Sequence, residues 1–106
     1  MKNKVITLLG FASKAGRLQF GMAKSIESVK NGKSKLLVYA NDVSDKSKKE
    51  VKFISHNKNL GCISLEEVTI EELSAAVGRK CGIISVCDNG FAEAILKLLG
   101  GCANDQ

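Results

Sequence analysis

The side chains that most often perform catalysis or bind metals are few and scattered in this sequence. There is one histidine, His56, and it lies in a charged stretch far from any cysteine pair. The four cysteines, Cys62, Cys81, Cys87 and Cys102, form no Cys-x-x-Cys motif, whereas zinc ligands usually come at short, paired spacings. We therefore expect no metal, no disulfide and no cofactor, and we expect Cys62 and Cys87 to be small buried hydrophobic residues of strands.

Nucleophile and phosphate-loop patterns are equally sparse. Ser13 and Ser85 have no histidine partner that the sequence makes visible. The Gly32-Lys33 pair lacks the upstream glycines of a phosphate-binding loop. We therefore predict that the chain is not an enzyme and that it acts by binding.

The uneven distribution of charge favours a binding function. Residues 1–60 contain thirteen basic and four acidic side chains, a net charge of +9, while residues 61–106 carry a net charge of −4. A one-sided positive field of this kind suits a polyanion, and nucleic acid is the first candidate. The alternative is a lysine-rich surface that only keeps the protein soluble.

Apolar segments are too short for a membrane protein. The longest uninterrupted apolar runs are only a few residues, such as residues 36–40, whereas a membrane-spanning helix needs about 20. The N-terminal stretch also lacks the apolar core and cleavage site of a secretory signal. We expect a cytoplasmic protein without membrane contact, whose residues 1–106 form one domain.

Apolar spacing predicts the elements that must position the charged side chains. Strands are predicted at residues 18–20, 36–40, 61–65 and 82–87. Helices around them are indicated by apolar residues at helical spacing, namely Val5, Leu8, Leu9, Ala12, Ala23, Ile26, Val29, Val51, Ile54, Phe91, Ala94, Ile95 and Leu98. Strands that alternate with helices form a central sheet covered by helices on both faces. We expect Leu37 and Ile84 to be core residues of adjacent strands.

Polar residues and glycines mark where the helices begin and end. Ser44 is placed to cap the third helix and Asp88 to cap the last one. Thr69 and Glu72 have the spacing of a capping box, in which each side chain accepts a hydrogen bond from the other residue's backbone amide. Glycine is expected to end the last helix at Gly100-Gly101.

Basic residues lie at the ends of these predicted elements. Arg17 and Gly21 bracket the start of the second helix, and Lys24 lies in its first turn, where free amides attract anions. Arg79-Lys80 lies in the loop before the final strand. Asn41-Asp42 follows a buried strand, at the edge where ligands of open α/β sheets commonly bind.

Several stretches together resemble a known family. They are residues 9–18 (LGFASKAGRL), Gly21, residues 33–44 (KSKLLVYANDVS), residues 71–80 (EELSAAVGRK) and residues 88–92 (DNGFA). Over about residues 3–99 the chain resembles the kink-turn RNA-binding ribosomal-protein family, which includes archaeal ribosomal protein seven-Ae and eukaryotic ribosomal protein thirty-e, and within it the bacterial branch. The resemblance implies a three-layer α/β/α sandwich with a central mixed sheet of about four strands. It also implies RNA binding, at a site that would comprise Lys14, Arg17, Gly21, Lys24, Asn41, Asp42, Gly78, Arg79 and Lys80.

The RNA-reading motif of that family is only partly present. Its typical form is Gly-x-Asn-Glu, with a Lys three positions beyond the Glu. Gly21 matches, but Ala23 stands at the Asn position, Lys24 at the Glu position and Glu27 at the Lys position. The resemblance therefore implies an RNA site at this place whose side chains do not read the sheared G·A pairs of a kink-turn in the family's way.

Functions of different classes remain open at this point. The first is a ribosome-associated monomer that binds structured RNA, either ribosomal or kink-turn RNA, with ribosomal proteins as further partners. The second is a protein-interaction module of a ribonucleoprotein assembly, which has lost kink-turn readout and docks through the acidic second half. The third is a recognition domain of an RNA-modifying enzyme, since similar domains precede some RNA methyltransferases. The salt dependence of the affinity distinguishes RNA binding from apolar docking, because only RNA binding weakens steeply as the ionic strength rises.

Overall fold

Helices and strands alternate along the chain in the order that the apolar spacing predicts. The structure is a computed structural model that describes residues 2–99. Its elements are α1 (Lys2–Lys14), β1 (Leu18–Phe20), α2 (Met22–Lys30), β2 (Leu36–Ala40), α3 (Asp45–Asn57), β3 (Gly61–Leu65), α4 (Ile70–Val77), β4 (Ile83–Val86) and α5 (Asn89–Leu98). The predicted α/β class is confirmed.

The four strands form one mixed sheet in the order β1-β4-β2-β3. Strand β4 is antiparallel to both of its neighbours, while β2 and β3 run parallel. In this register Val38 lies opposite Ile84 on one side and opposite Ile63 on the other. Because parallel strands need a crossover connection, α3 joins β2 to β3.

Helices cover both faces of the sheet, so β2 and β4 are buried throughout. One core cluster joins α1, α4 and α5 to Val38 and Ile84, and the other joins α2 and α3 to Leu37 and Tyr39. Successive strand residues point to opposite faces of the sheet. Ile84 shares a face with Val38, so Leu37 lies on the other face and packs in the other half of the core. Their exposed fractions are 2% and 0%, which confirms both as core residues. The predicted three-layer sandwich is also confirmed.

The predicted caps fix where three helices begin. Ser44 accepts a hydrogen bond from an amide in the first turn of α3 at 3.1 Å, and Asp88 accepts one in the first turn of α5 at 2.9 Å. In α4 the amide of Glu72 donates to Oγ1 of Thr69, and the amide of Thr69 donates to Oε1 of Glu72, both at 3.1 Å. The capping box is therefore present. The predicted end of the last helix at Gly100-Gly101 lies outside the described residues.

The buried side of α2 differs from the prediction. Ala23 is exposed and Ile26 is half-buried, whereas Ser25 and Ser28 are buried against the sheet. For Ser28 the physical reason is a polar partner, because its hydroxyl donates to Oγ of Ser85 in β4 at 2.7 Å. Oγ of Ser25 has no such partner among the described residues. A helix whose buried side includes serines is not visible in a pattern of apolar residues alone.

Two cysteines are less buried than predicted. Cys62 and Cys87 are half-buried, and Cys81 is the buried one among the three cysteines of the described residues. Cys62 lies on β3, an edge strand, and Cys87 directly follows β4 at its end, so neighbouring elements do not surround either thiol. Cys102 lies outside the described residues.

Candidate nucleic-acid interface

The start of α2 presents backbone amides that no side chain caps. Gly21 is the N-cap residue, with φ of 88° and ψ of 166°, a conformation that residues with a Cβ rarely adopt. Its amide donates to the carbonyl of Ile83 at 2.8 Å, which fixes the helix start to β4. A Cβ added to Gly21 would meet no atom within 4 Å. The space beside Gly21 is therefore open, and the first amides of α2 lie next to it at the positive end of the helix dipole.

The loop between α4 and β4 brings two cations to this place. The guanidinium of Arg79 lies over the ring of Phe20, 5.1 Å from its centroid, in a cation–π contact. Phe20 directly precedes Gly21, so the contact sets Arg79 beside the start of α2. Gly78 ends α4 with φ of 79°, and the turn that it makes leads into Arg79 and Lys80, both of which are exposed.

Asn41 and Asp42 lie at the same end of the sheet, and both side chains have partners within the protein. Nδ2 of Asn41 donates to the carbonyl of Glu66, and Oδ1 of Asp42 accepts from the amide of Ile70, each at 2.7 Å. The amide before Asn41 donates to the carbonyl of Gly82 at 2.9 Å, which joins this loop to the loop that carries the two cations. Both side chains thus position the loops around the site.

Lys24 lies between the start of α2 and a second group of basic side chains. Its ammonium is 3.9 Å from the carboxylate of Glu27, and both side chains are well exposed. Lys24 also borders a pocket that contains Arg17, whose guanidinium is 4.0 Å from the carboxylate of Asp88. Lys14 is exposed at the end of α1. We refer to Gly21, Lys24, Arg79 and Lys80 as the α2-start surface, and Lys14 and Arg17 lie outside it.

A basic pocket near the end of α2 is absent from the prediction made from sequence. Its volume is about 640 Å³, and it is enclosed by the turn after α1, by β1, by α2 and by the loop before β2. We refer to it as the basic pocket, and the residues that matter in it are Arg17, Lys24, Ser28, Lys33, Lys35 and Cys87. Its signal in the sequence is the alternation of residues 33–35, because a buried serine between two lysines turns both lysines outward.

Buried hydroxyl groups hold one wall of the basic pocket in place. Oγ of Ser28 donates to Oγ of Ser85, which donates to Oγ of Ser34, each at 2.7 Å. The amides of Lys33 and Ser34 donate to the carbonyl of Ser28 at 2.9 and 3.1 Å, and the amide of Lys35 donates to β4 at 2.8 Å. The backbone that carries the two lysines is therefore fixed to both α2 and β4.

Catalytic and metal chemistry has little support in the described part of the chain. Burial raises the pKa of the Cys62 and Cys81 thiols above the ordinary value, which keeps both thiols protonated at neutral pH. His56 is exposed. Residues 2–99 contain no group of three or more His, Cys, Asp or Glu side chains that could hold a metal ion. Within the same range, every helix is too short or too polar to cross a membrane.

Most of the length of this chain aligns with known proteins. A protein of Enterococcus faecium named RNA-binding protein YlxQ is 32% identical over 100 residues, which are 94% of this chain and 95% of that protein. Residues 3–96 match the profile of the ribosomal protein L7Ae/L30e/S12e/Gadd45 family. The chain belongs to this family. The resemblance stated from the sequence motifs is thereby confirmed.

Solved structures share the fold of this L7Ae/L30e/S12e/Gadd45 member. A Bacillus halodurans protein of unknown function superposes with a TM-score of 0.83 at 23% identity, covering 97% of this chain and 98% of that one. The 15.5kD RNA binding protein of Giardia lamblia gives a TM-score of 0.75 at 13% identity, covering 93% of this chain and 84% of that one. At such low identity the likeness establishes the fold alone.

Proposed function

We propose that this chain binds structured RNA through the α2-start surface. The observation that carries the proposal is the contact of Arg79 with Phe20, because it holds a cation beside the uncapped amides of α2, with the exposed Lys80 next in the chain. Amides and cations that converge in this way bind phosphate oxygens. Membership of the family and the name of the Enterococcus faecium relative support RNA as the ligand.

The exposed side of α2 favours phosphate contacts over base reading. Ala23 offers no polar side-chain atom, and Lys24 is a cation where the family's typical motif has a carboxylate. Contacts to phosphate position a protein on RNA but carry little sequence information. We therefore infer that the chain prefers a kink-turn over a plain duplex only modestly.

Acidic side chains limit the RNA site on its other side. Asp42, Glu66, Glu67 and Glu71 are all exposed around the end of β2 and the start of α4. These carboxylates repel phosphate, so RNA extends from the α2-start surface along α2 rather than over the end of β3. The same acidic edge is the docking face of the alternative function, a protein-interaction module of a ribonucleoprotein assembly.

In the proposed function the protein acts by binding and catalyses no reaction. Residues 1–106 act as one domain and as a monomer in the cytoplasm, and the chain supplies no catalytic group. Ribosomal RNA or a kink-turn-containing RNA is the partner, and ribosomal proteins are neighbours of the bound RNA. In this role Asn41, Asp42 and Gly78 shape the loops that carry the phosphate-binding cations.

Titration of three labelled RNAs tests the proposal, namely a kink-turn, a plain duplex and ribosomal RNA. We expect all three to bind. Three cations on phosphates give an affinity that falls about 20- to 40-fold between about 50 and about 200 mM salt. Failure of every RNA to bind contradicts the proposal. An affinity that does not respond to salt also contradicts it, and favours the protein-interaction module.

A further inference from the structure

Three cations of the basic pocket lie outside the α2-start surface, and Lys24 belongs to both. Arg17, Lys24, Lys33 and Lys35 border the basic pocket, and Glu27 is the carboxylate of its lining. Glu27 lies near Lys24, at 3.9 Å. Among the described residues no carboxylate lies within 4.0 Å of the ammonium of Lys33 or Lys35. A cleft whose lining carries an excess of one sign of charge concentrates counter-ions of the opposite sign. Four cations against the single carboxylate of Glu27 leave this lining positive, so the pocket attracts an anion.

The lysine pair is presented by a rigid backbone. The hydroxyl chain Ser28–Ser85–Ser34 anchors the loop before β2, and the three amides of residues 33–35 all donate within the protein. Fixing the loop before a ligand arrives reduces the entropy that binding must overcome. Because the loop amides are occupied, the pocket offers no backbone cradle for a single small phosphate. Separate charged side chains suit a ligand that carries several phosphates in a row.

We propose that the basic pocket binds phosphate groups of the RNA backbone and so forms a second contact with the same RNA. This inference rests on the proposed function above. The nine residues of α2 span about 14 Å, a length of duplex axis along which one strand carries about four phosphates. RNA that lies on the α2-start surface reaches Lys33 and Lys35 by following the exposed side of α2, past Lys24 and Asn31.

A pair of double variants tests the basic pocket. Lys33→Ala/Lys35→Ala removes two positive charges from the pocket, and Lys46→Ala/Lys49→Ala removes two from exposed positions on α3 that do not line it. With a kink-turn RNA that has long stems, the pocket variant should lower the salt slope by about 1.4–1.8. The ratio of wild-type to variant affinity should then shrink about ninefold between about 50 and about 200 mM salt. The α3 variant should keep the wild-type slope.

The outcomes separate this inference from the proposed function. If the wild type binds RNA and both double variants bind with the wild-type slope, the basic pocket is not a contact and the α2-start surface stands. If both double variants lose the same slope, the effect is general charge and the inference is wrong. If the wild type binds no RNA, both proposals are wrong. Both changes are at exposed side chains, so we expect each variant to have the urea midpoint of the wild type. That result excludes a folding effect.

A nucleotide titration followed by NMR identifies the source of the phosphate. We expect the amides of Gly32, Lys33 and Lys35 to shift with equimolar kink-turn RNA and to stay unchanged with equimolar AMP. Equal shifts with AMP would mean that the basic pocket is a site for a free nucleotide, which contradicts the inference. Shifts of the Arg79 and Lys80 amides alone would also contradict it.

Discussion

Three residues on the exposed side of α2 distinguish this chain from the typical motif of its family. Ala23 replaces an amide side chain, and Lys24 and Glu27 carry the two charges in the reverse order. The structure places the last two 3.9 Å apart, three residues along the helix. Exchanging their identities therefore keeps the same pair and the same net charge. A change in RNA selectivity caused by such an exchange therefore cannot come from net charge.

Restoring the motif should raise selectivity for a kink-turn. The triple variant Ala23→Asn/Lys24→Glu/Glu27→Lys should increase the ratio of kink-turn to duplex affinity about tenfold or more, because a well-placed base contact contributes about 1–3 kcal/mol. The double variant Lys24→Glu/Glu27→Lys, which lacks the amide, should gain less. The account of α2 is wrong if the wild type already binds a kink-turn tightly and the triple variant weakens that binding.

Buried serines give a second prediction, about stability. Ser85→Ala removes the hydroxyl that accepts from Ser28 and donates to Ser34, so it should cost about 1–3 kcal/mol in the free energy of unfolding. The matched control is Ser25→Ala, since Oγ of Ser25 is buried without a hydrogen-bond partner in the described part of the protein. That change should be neutral or stabilising. If urea denaturation shows the same loss in the free energy of unfolding for both variants, the hydrogen-bonded chain of hydroxyls does not stabilise the protein and the prediction is wrong.

Among the elements, β2 and β4 are the two central strands, and their side chains form the core between the two helical layers. Leu37→Ala on β2 should cost about 2–5 kcal/mol in the free energy of unfolding, because it leaves a cavity under α2 and α3. Phe53→Ala is the control, since Phe53 on α3 is 66% exposed and its loss should change stability by no more than about 0.5 kcal/mol. An unchanged denaturation midpoint for Leu37→Ala would contradict the central position of β2.

Elements with local signals are the ones that the sequence predicts well. The spacing of Thr69 and Glu72 alone specifies the start of α4, and the apolar run of residues 36–40 specifies β2. The sheet order and the basic pocket depend on contacts between distant segments. The position of Lys35 follows from the pairing of its loop with β4, and that of Arg79 from its contact with Phe20. Neither contact leaves a periodic pattern. The family resemblance alone places Arg79 in one site with Gly21, and the pocket that contains Lys35 is not predicted from the sequence.

Across the whole molecule, the fold rearranges the charge that the sequence divides between its halves. Residues 61–106 are acidic overall, yet Arg79, the first residue of their adjacent basic pair, lies beside the start of α2 in the basic half. The exposed carboxylates of Glu66, Glu67 and Glu71 lie around the start of α4 instead. The protein thus has a basic side along α2 and an acidic edge. This arrangement directs a polyanion along α2.

The salt dependence of RNA binding by Arg79→Ala/Lys80→Ala tests the central claim most directly. Lys80→Ala alone keeps the contact between Arg79 and Phe20 and controls for its loss, while Lys46→Ala/Lys49→Ala controls for net charge. We predict that the double variant lowers the salt slope by about 1.4–1.8, that Lys80→Ala gives about half of that, and that affinity falls by a similar factor for kink-turn, duplex and ribosomal RNA. A wild-type slope in the double variant, or a loss confined to one RNA, would contradict phosphate binding at the α2-start surface.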